Sequence, residues 1–558
     1  MHWSKRDIEQ LSIHFEGDLY LTDSADARRT KRLYATDASV YEVQPQAVAL
    51  PANSKDIKRL IQFATSHKSS IIPRGAGTSL AGQVVGEGIV MEMSHRMSKI
   101  IQLNKKEHSV WVEPGIIRDD LNKHLAEAGV FFGPETSTAN RALIGGMIGN
   151  NSCGLHSIVW GSTRDHLIET RAILSDGTEI HTEPLSKEEF YKKTTLGNLE
   201  GKIYRELHRI LNNPEVQTLI RNRFPKSDIK RRNTGYALDA LLDMQPFHPE
   251  GKAFNLSALL AGSEGTLAVV HAAKLNLLEE KNPFIGLLCL HCSTLQEALH
   301  ANILALEHEP TASELVDDFI LSFTENHPNF KNDRAFIDGK PAAMLMVEFR
   351  EDSQEALDQK IKSCIEAVQK ANLAYAFPVL YGGEINKGWD IRKAGLGLIR
   401  NLKGLKQPVN LIEDCAVSPK DLPAYVADIQ TLLAKHNVQA AYYAHAGAGE
   451  LHIEPFIDIH SNEGKTLFRS LLAETVEILK KYQGSLSGEH GDGRLRGEFI
   501  PQMMGPEIYA LFKEIKQLFD PQNILNPGKI VDTPPMDEAF RKKETSQSTK
   551  HYFHYPDT

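Results

Sequence analysis

Ser70-Ile-Ile-Pro-Arg-Gly-Ala-Gly-Thr-Ser79 reads as a short strand running into a glycine loop. Ile71 and Ile72 suit a buried strand. Gly75 and Gly77 let backbone N–H groups converge into a nest for an anion, with Arg74, Thr78 and Ser79 as further donors. A pyrophosphate suits such a nest, but the spacing matches neither a P-loop nor a Rossmann fingerprint, so simple nucleotide-binding domains fit poorly. Upstream, Ser54 is placed to cap a helix whose Ile57, Leu60, Ile61 and Ala64 form one apolar stripe. Downstream come Gly133-Pro-Glu-Thr-Ser137 and Ala142-Leu-Ile-Gly-Gly-Met-Ile-Gly-Asn-Asn-Ser-Cys-Gly154. The second carries too much glycine and asparagine to favour a helix, although its apolar residues favour burial. Glycines in such a stretch mark close approach of something flat or phosphorylated, and Ala258-Leu-Leu-Ala-Gly-Ser-Glu-Gly-Thr-Leu-Ala268 repeats the pattern.

The far end of the chain carries different chemistry. His445-Ala-Gly-Ala-Gly-Glu-Leu-His452 and Gly488-Glu-His-Gly-Asp-Gly493 set three histidines and a carboxylate among glycines. Histidines seven apart on a helix would stand about 10.5 Å apart along its axis, too far for one ion. A turn at Gly447 and Gly449, between strands Ala440 to Ala444 and Glu450 to Pro455, instead folds His445 back towards His452. Glu450, His452 and Glu454 then share a strand face. Imidazoles with a carboxylate suit zinc, or manganese or iron, with a position open for substrate. Glu489 and His490 can serve one site only where Gly488 and Gly491 bend the backbone. The bland alternatives are a salt bridge from Glu489 to Arg494 or Arg496, and an orienting role for His490. Cys289-Leu-His-Cys292 has the spacing of a redox or metal pair, but it lies in a run that reads as a buried strand, where cysteine is a small core residue.

The chain has 558 residues, enough for two or three subdomains. A net charge of -9 argues against nonspecific nucleic-acid binding. Five scattered cysteines imply no disulfide framework. Met1 to Leu11 lacks the apolar centre of a secretory signal, and no run approaches the roughly 18 apolar residues of a membrane span. A cytoplasmic location is expected, with peripheral association at the inner membrane face as the alternative.

In order along the chain, Pro73 to Ser79, Gly145 to Ser152, Gly262-Ser-Glu-Gly-Thr266, the histidine hairpin, Gly488 to Gly491 and Phe519-Asp-Pro-Gln-Asn-Ile-Leu-Asn-Pro-Gly528 resemble the FAD-linked D-2-hydroxyacid dehydrogenases. This family includes D-lactate dehydrogenases, the glycolate oxidase flavin subunit and D-2-hydroxyglutarate dehydrogenase. In wording the chain is most similar to the flavin half of large bacterial FAD plus iron–sulfur dehydrogenases, through Ile391 to Gly397, Leu411 to Asp414 and Leu486 to Arg496. The resemblance implies an α+β protein with a vanillyl-alcohol-oxidase or PCMH-type fold. Its expected parts are an extension (1–33), an FAD-binding domain of two subdomains (34–275), a cap with an antiparallel sheet and the metal site (276–510), a return to the flavin (511–532) and a linker or tail (533–558). Directly legible in the cap are strand Phe284 to Cys292, a helix from Thr294, strand Ala342 to Phe349 and helix Gln354 to Lys370.

The same resemblance assigns noncovalent FAD to Arg74, Gly75, Gly77, Thr78, Ser79, Gly82, Pro134, Thr136, Gly145, Gly146, Asn150, Ser152, Gly154, Gly161, Glu264, Gly265 and Asn526. His156 and Cys153 are the alternative covalent tethers. A metal on His445, His452 and Glu489, with His490 as base and Arg392 on the substrate carboxylate, would oxidise a D-2-hydroxyacid by hydride transfer to flavin N5. Hydroxyglutarate-specific relatives place a threonine and a lysine where Leu396 and Ile412 stand here. A diacid would therefore need another base, such as Lys393, Arg400 or Lys403. Expected partners are the small acid, an electron acceptor (iron–sulfur domain or subunit, quinone or electron-transfer flavoprotein) and a second copy in a homodimer. Thr533 to Lys550 reads as a linker ending in Tyr552-Phe-His-Tyr555, as in a truncated flavin half or a subunit that passes electrons on. Two other functions share the fold: a noncatalytic electron-relay subunit, and a transferase resembling alkyl-dihydroxyacetonephosphate synthase.

Overall fold

The computed structural model describes residues 3–279, 281–399 and 404–542. A four-stranded sheet runs in the order Asp18–Tyr20, Ala47–Leu50, Ile89–Glu92, Ile71–Arg74. Its last three strands are parallel, and the first is an antiparallel edge. Helix Ser54–Ser66 buries Ile57, Leu60, Ile61 and Ala64 beneath it. Its cap is Asn53 rather than Ser54, because the Asn53 side chain accepts from the N–H groups of Lys55 and Asp56. Residues 3–33 are not a separate extension. They supply the edge strand and two helices, and the Trp3 ring packs edge-on against Phe63 at 5.2 Å.

A five-stranded antiparallel sheet follows, ordered Ile100–Asn104, Ser109–Val112, Val269–Asn276, Leu167–Ile173, Glu179–Thr182. Its central strand comes last in sequence, so this subdomain closes only when residue 276 is in place. Between the two sheets, Ile144–Asn150 forms a helix despite Gly145, Gly146 and Gly149. The glycines cost about 1 kcal/mol each, whereas burying Ile144, Met147 and Ile148 contributes roughly 1.5–3 kcal/mol apiece. Burial wins, against the sequence expectation.

The cap is built on an eight-stranded sheet with Phe284–Cys292, Ala343–Glu351, Ala312–Asp317, Ala440–His445 and Glu450–Ile457 as consecutive neighbours. Helices Leu295–Leu306, capped by Thr294, and Gln354–Lys370 pack on it. Cys289 and Cys292 lie on opposite faces of their strand, in different apolar clusters, so they cannot form a pair. After helix Pro506–Phe519 the chain returns to the first sheet, where Ile71 N–H donates to Ile524 C=O at 2.7 Å. Residues 533–542 are not a free linker. Tyr41 donates its hydroxyl to Met536 C=O at 2.7 Å, and Phe540 packs on the Tyr41 ring at 5.7 Å. The rest of the expected tail, with Lys550 and the Tyr552 to Tyr555 aromatics, lies outside the described residues. No helix among the described residues is long and apolar enough to cross a membrane.

Candidate metal and flavin site

Strands Ala440–His445 and Glu450–Ile457 form a hairpin around the short turn Ala446–Ala448, with His445 opposite Glu450 and Tyr443 opposite His452. The turn brings the His445 and His452 rings to 5.2 Å, and His490 stacks on His452 at 5.4 Å. Each imidazole has a carboxylate behind it. His445 Nδ1 lies 2.8 Å from Glu314, and Glu413 serves both His452 Nδ1 at 3.3 Å and His490 Nδ1 at 2.8 Å. The three Nε2 atoms therefore face one oxygen, Glu489 Oε1, at 3.5, 3.9 and 3.2 Å for His445, His452 and His490. A carboxylate at Nδ1 fixes the tautomer and ring orientation of a metal-binding histidine.

Five carboxyl groups crowd the three histidines. Glu314, Glu413, Asp414, Glu450 and Glu489 touch the histidines and are all buried. The guanidiniums of Arg231, Arg392 and Arg496 pair with them, three cations for five carboxyl groups. Burial pushes the Glu450 carboxyl well above the usual range. For His490, burial works downward, but Glu413 and Asp414 hold the imidazole well above its ordinary value. His452 is lowered to about 4 by burial, which keeps it neutral as a metal ligand must be. Glu489 pairs with Arg231 at 3.0 Å rather than with Arg494 or Arg496. Arg496 serves Glu413, and Arg494 lies over the Tyr41 ring.

Asp414 shapes the turn that lets Glu489 and His490 serve one site. Its carboxylate accepts from the N–H groups of Glu489 at 2.7 Å and His490 at 3.0 Å and from the Ser487 hydroxyl at 2.7 Å. Gly491 completes the bend at φ 83°, where a Cβ would strike Glu264 and Gln83. Sequence reasoning assigned no roles to Glu413 and Asp414, nor to Arg231 and Glu314. The available signal was a pair of acids, Glu413-Asp414, inside an otherwise apolar run.

The glycine-rich elements beside this cluster could hold a flavin. Among the described residues, the backbone N–H groups from Gly75 to Gly82 donate to nothing in the protein, so they are available as donors to an anion. On the facing helix, a Cβ at Gly146 or Gly149 would meet nothing within 4 Å. Sequence reasoning named Gly146 but not Gly149. Gln83 and Asn150 reach from these elements to donate to the main-chain oxygen of His490, at 2.6 and 3.2 Å.

Several residues assigned to FAD are otherwise engaged. The Arg74 guanidinium donates to the carbonyls of Tyr34 and Thr36, at 3.2 and 2.8 Å, so it ties down the segment before the nest. Glu264 accepts from the N–H groups of Asp492 and Gly493 at 2.6 and 3.1 Å, joining the two halves. Asn526 donates to the carbonyls of Gln83 and Glu264. The Ser79 hydroxyl is bonded to Gln83, and the Pro134 carbonyl accepts from Arg118. Thr136 bonds to Thr138, and the Ser152 carbonyl receives Thr163. Gly82, Gly145, Gly154, Gly161 and Gly265 are demanded by close neighbours or a positive φ, against Tyr41, Pro114, the Glu135 carbonyl, Asp165 and Pro73, while Gly75 packs on the Leu143 side chain. His156 has both ring nitrogens on carboxylates, Glu135 and Glu348, and the Cys153 thiol donates to Glu489. Neither is placed as a free covalent tether. Arg392 is buried rather than a surface charge, 2.8 Å from Glu314 and over the Tyr443 ring.

Two family profiles match: an FAD binding domain over residues 45–183, and the C-terminal domain of FAD linked oxidases over 282–530. The D-2-hydroxyglutarate dehydrogenase of Escherichia coli (strain K12) is 31% identical over 96% of this chain and 53% of its own length. That of Pseudomonas putida is 32% identical over 90% and 50%. The chain thus spans about half the length of these curated relatives. The glycolate oxidase subunit GlcD of Bacillus subtilis is 26% identical, over 94% of this chain and 97% of its own. Among solved structures, p-cresol methylhydroxylase with substrate bound superposes with a TM-score of 0.64 at 13% identity, over 94% of this chain and 97% of that one. Alkyldihydroxyacetonephosphate synthase gives 0.62 at 18%, over 94% and 85%. At such identities the likeness shows the fold alone, which is that of a PCMH-type flavoprotein. Within that class, the chain carries an FAD binding domain and the C-terminal domain of FAD linked oxidases, and it is similar to D-2-hydroxyglutarate dehydrogenases and a glycolate oxidase subunit.

Proposed function

We propose that this chain oxidises a D-2-hydroxyacid to the 2-oxoacid, with noncovalent FAD in the groove between Gly75–Gly82 and the Ile144–Asn150 helix and a divalent ion on His445, His452 and Glu489. The observation that carries this reading is the position of His490. Its main chain is bonded to Gln83 and Asn150 of the flavin groove, while its Nε2 faces the ligand carboxylate at 3.2 Å. When bound, FAD supplies the hydride acceptor and the ion supplies Lewis acidity for the substrate hydroxyl.

The protein does the rest. Glu413 orients His490 through Nδ1, and a cation held at Glu489 would offset the carboxylates that raise the imidazole, freeing Nε2 to take the hydroxyl proton. Arg392 has a buried Nε with no hydrogen-bond partner, a donor available to the substrate carboxylate. Glu314 links Arg392 to His445 and sets both. The relatives' names favour D-2-hydroxyglutarate, and D-lactate and glycolate are the smaller candidates. Ile412 is fully buried among apolar side chains, and the Leu396 side chain lies outside the described residues. Of the bases that could receive a second carboxylate, Lys393 is exposed near Glu135, whereas Arg400 and Lys403 lie outside the described residues. Electrons would pass to an iron–sulfur partner, a quinone or an electron-transfer flavoprotein, in a cytoplasmic or membrane-peripheral setting.

Anaerobic mixing with a panel of D- and L-hydroxyacids tests the reading. D-acids should bleach the oxidised flavin band and their L-enantiomers should not. Preferential reduction by L-acids, or none by any acid in the metal-loaded protein, would overturn it.

A further inference from the structure

Glu450 is completely buried at the end of the hairpin turn, opposite His445 in the strand register. Its two oxygens have different surroundings. Oε2 accepts from Arg231 at 2.9 Å, whereas Oε1 has no hydrogen-bond partner and lies 3.6 Å from His452 Nε2. Glu489 is held in the same way, with Oε2 on Arg231 at 3.0 Å and Oε1 turned to the histidines. Arg231 thus grips the outer oxygens of two adjacent carboxylates and leaves both inner oxygens facing one point. It is itself buried and anchored in the flavin half, where it donates to the Gly154 carbonyl and the Ser157 hydroxyl.

Two like charges and an orphaned oxygen in a dry pocket are costly unless a cation meets them. Donors about 2.0–2.3 Å from one ion stand about 3–4.5 Å from one another. The donor atoms of His445, Glu450, His452 and Glu489 all lie within 4.8 Å of one another. We propose that Glu450 is a fourth protein ligand of the metal site, and that Arg231, reaching from the flavin domain, is the positioning residue that aims both ligand carboxylates. This rests on the metal reading above and adds to it.

The added ligand bears on which ion the site takes. Four protein donors would fill a tetrahedral zinc site and leave no place for substrate. An ion that takes five or six ligands, manganese(II) or iron(II), keeps positions open for the hydroxyl and carboxylate oxygens of a hydroxyacid. Because Arg231 also holds Gly154 and Ser157, the ligand geometry depends on the two domains being docked.

The test uses the full-length flavin-loaded protein, stripped by chelator and titrated with Mn²⁺ under equilibrium dialysis, with metal per chain, FAD content and Tm read together. Glu450→Gln keeps the acceptor for Arg231 but removes the charge aimed at the histidines. Its Mn²⁺ affinity should fall at least about tenfold with FAD content unchanged, and the Mn²⁺-induced rise in Tm should shrink. Arg231→Lys should weaken Mn²⁺ binding while FAD stays bound. Wild-type Mn²⁺ affinity in Glu450→Gln, alongside loss in His452→Ala, would remove Glu450 from the ligand set and leave the three-ligand reading standing. A wild-type protein that takes up neither Mn²⁺ nor Zn²⁺ would sink both.

Discussion

Asp414 sits at φ 77°, a conformation a non-glycine residue rarely adopts, and its carboxylate collects the donors of three residues in the 487–490 turn. Those bonds hold the backbone where His490 and Glu489 face the same space. His490 is then the side chain whose loss tests the chemistry most directly. His490→Ala should slow reduction of the flavin by the best D-acid about 10²–10⁴-fold, with little change in substrate binding or bound metal. Stopped-flow reduction under nitrogen reads this, and an unchanged rate would remove His490 from the proton-transfer role. The four histidine and glutamate positions of this cluster were legible because imidazoles among glycines are rare outside sites. Glu413 and Asp414 were not, because acids in an apolar run acquire a role only when the elements around them are known.

The helix Ile144–Asn150 is where element-level reading went astray, and where it can be tested. Propensity disfavours it, yet one face is core and the other must be bare. At Gly145 an added Cβ would come within 2.6 Å of Pro114, whereas at Gly146 it would meet open space on the groove side. The two glycines therefore serve different ends. Gly146→Val should lower FAD content of the purified protein sharply while leaving the apoprotein's Tm equal to wild type or slightly higher, since any residue other than proline improves on glycine in a helix. Flavin loading as in wild type would show that the groove lies elsewhere. The hairpin was easier, because glycine spacing and strand alternation both act locally.

At the scale of the molecule, His156 joins the flavin half to the cap. Its Nδ1 lies 2.7 Å from Glu135 and its Nε2 3.0 Å from Glu348, and Glu348 also receives Trp389 Nε1 at 3.2 Å. Burial alone would lower the His156 pKa, but the two carboxylates raise it to about 9. The lowered Glu348 value, about 2, is the same interaction seen from its partner. A raised folded pKa gives stability that is fully present below the ordinary histidine value of about 6.5 and is lost as pH rises to about 9, worth about 3 kcal/mol in all. Thermal unfolding at pH 6 and pH 9.5 should show wild type losing more Tm than His156→Gln across that window. Equal losses would place the domain coupling elsewhere.

What the sequence determined by itself was local: the nest after Ile71-Ile72, the histidine hairpin, the cap helices at Leu295 and Gln354, and, through the order of motifs, the two flavoprotein domains. These rest on periodicity, glycine spacing and residue chemistry, which need only neighbours in the chain. The tertiary structure decided everything that depends on distant partners. It drew residues 3–33 and 533–542 into the fold, made a helix of a glycine-rich stretch by burying one face, and engaged Arg74 and Glu264 in ties within the protein. It also put Arg231, more than two hundred residues from Glu450, against the same two carboxylates. A buried charge is stable only beside its partner, and which residue becomes that partner is settled when the flavin domain and the cap close on each other.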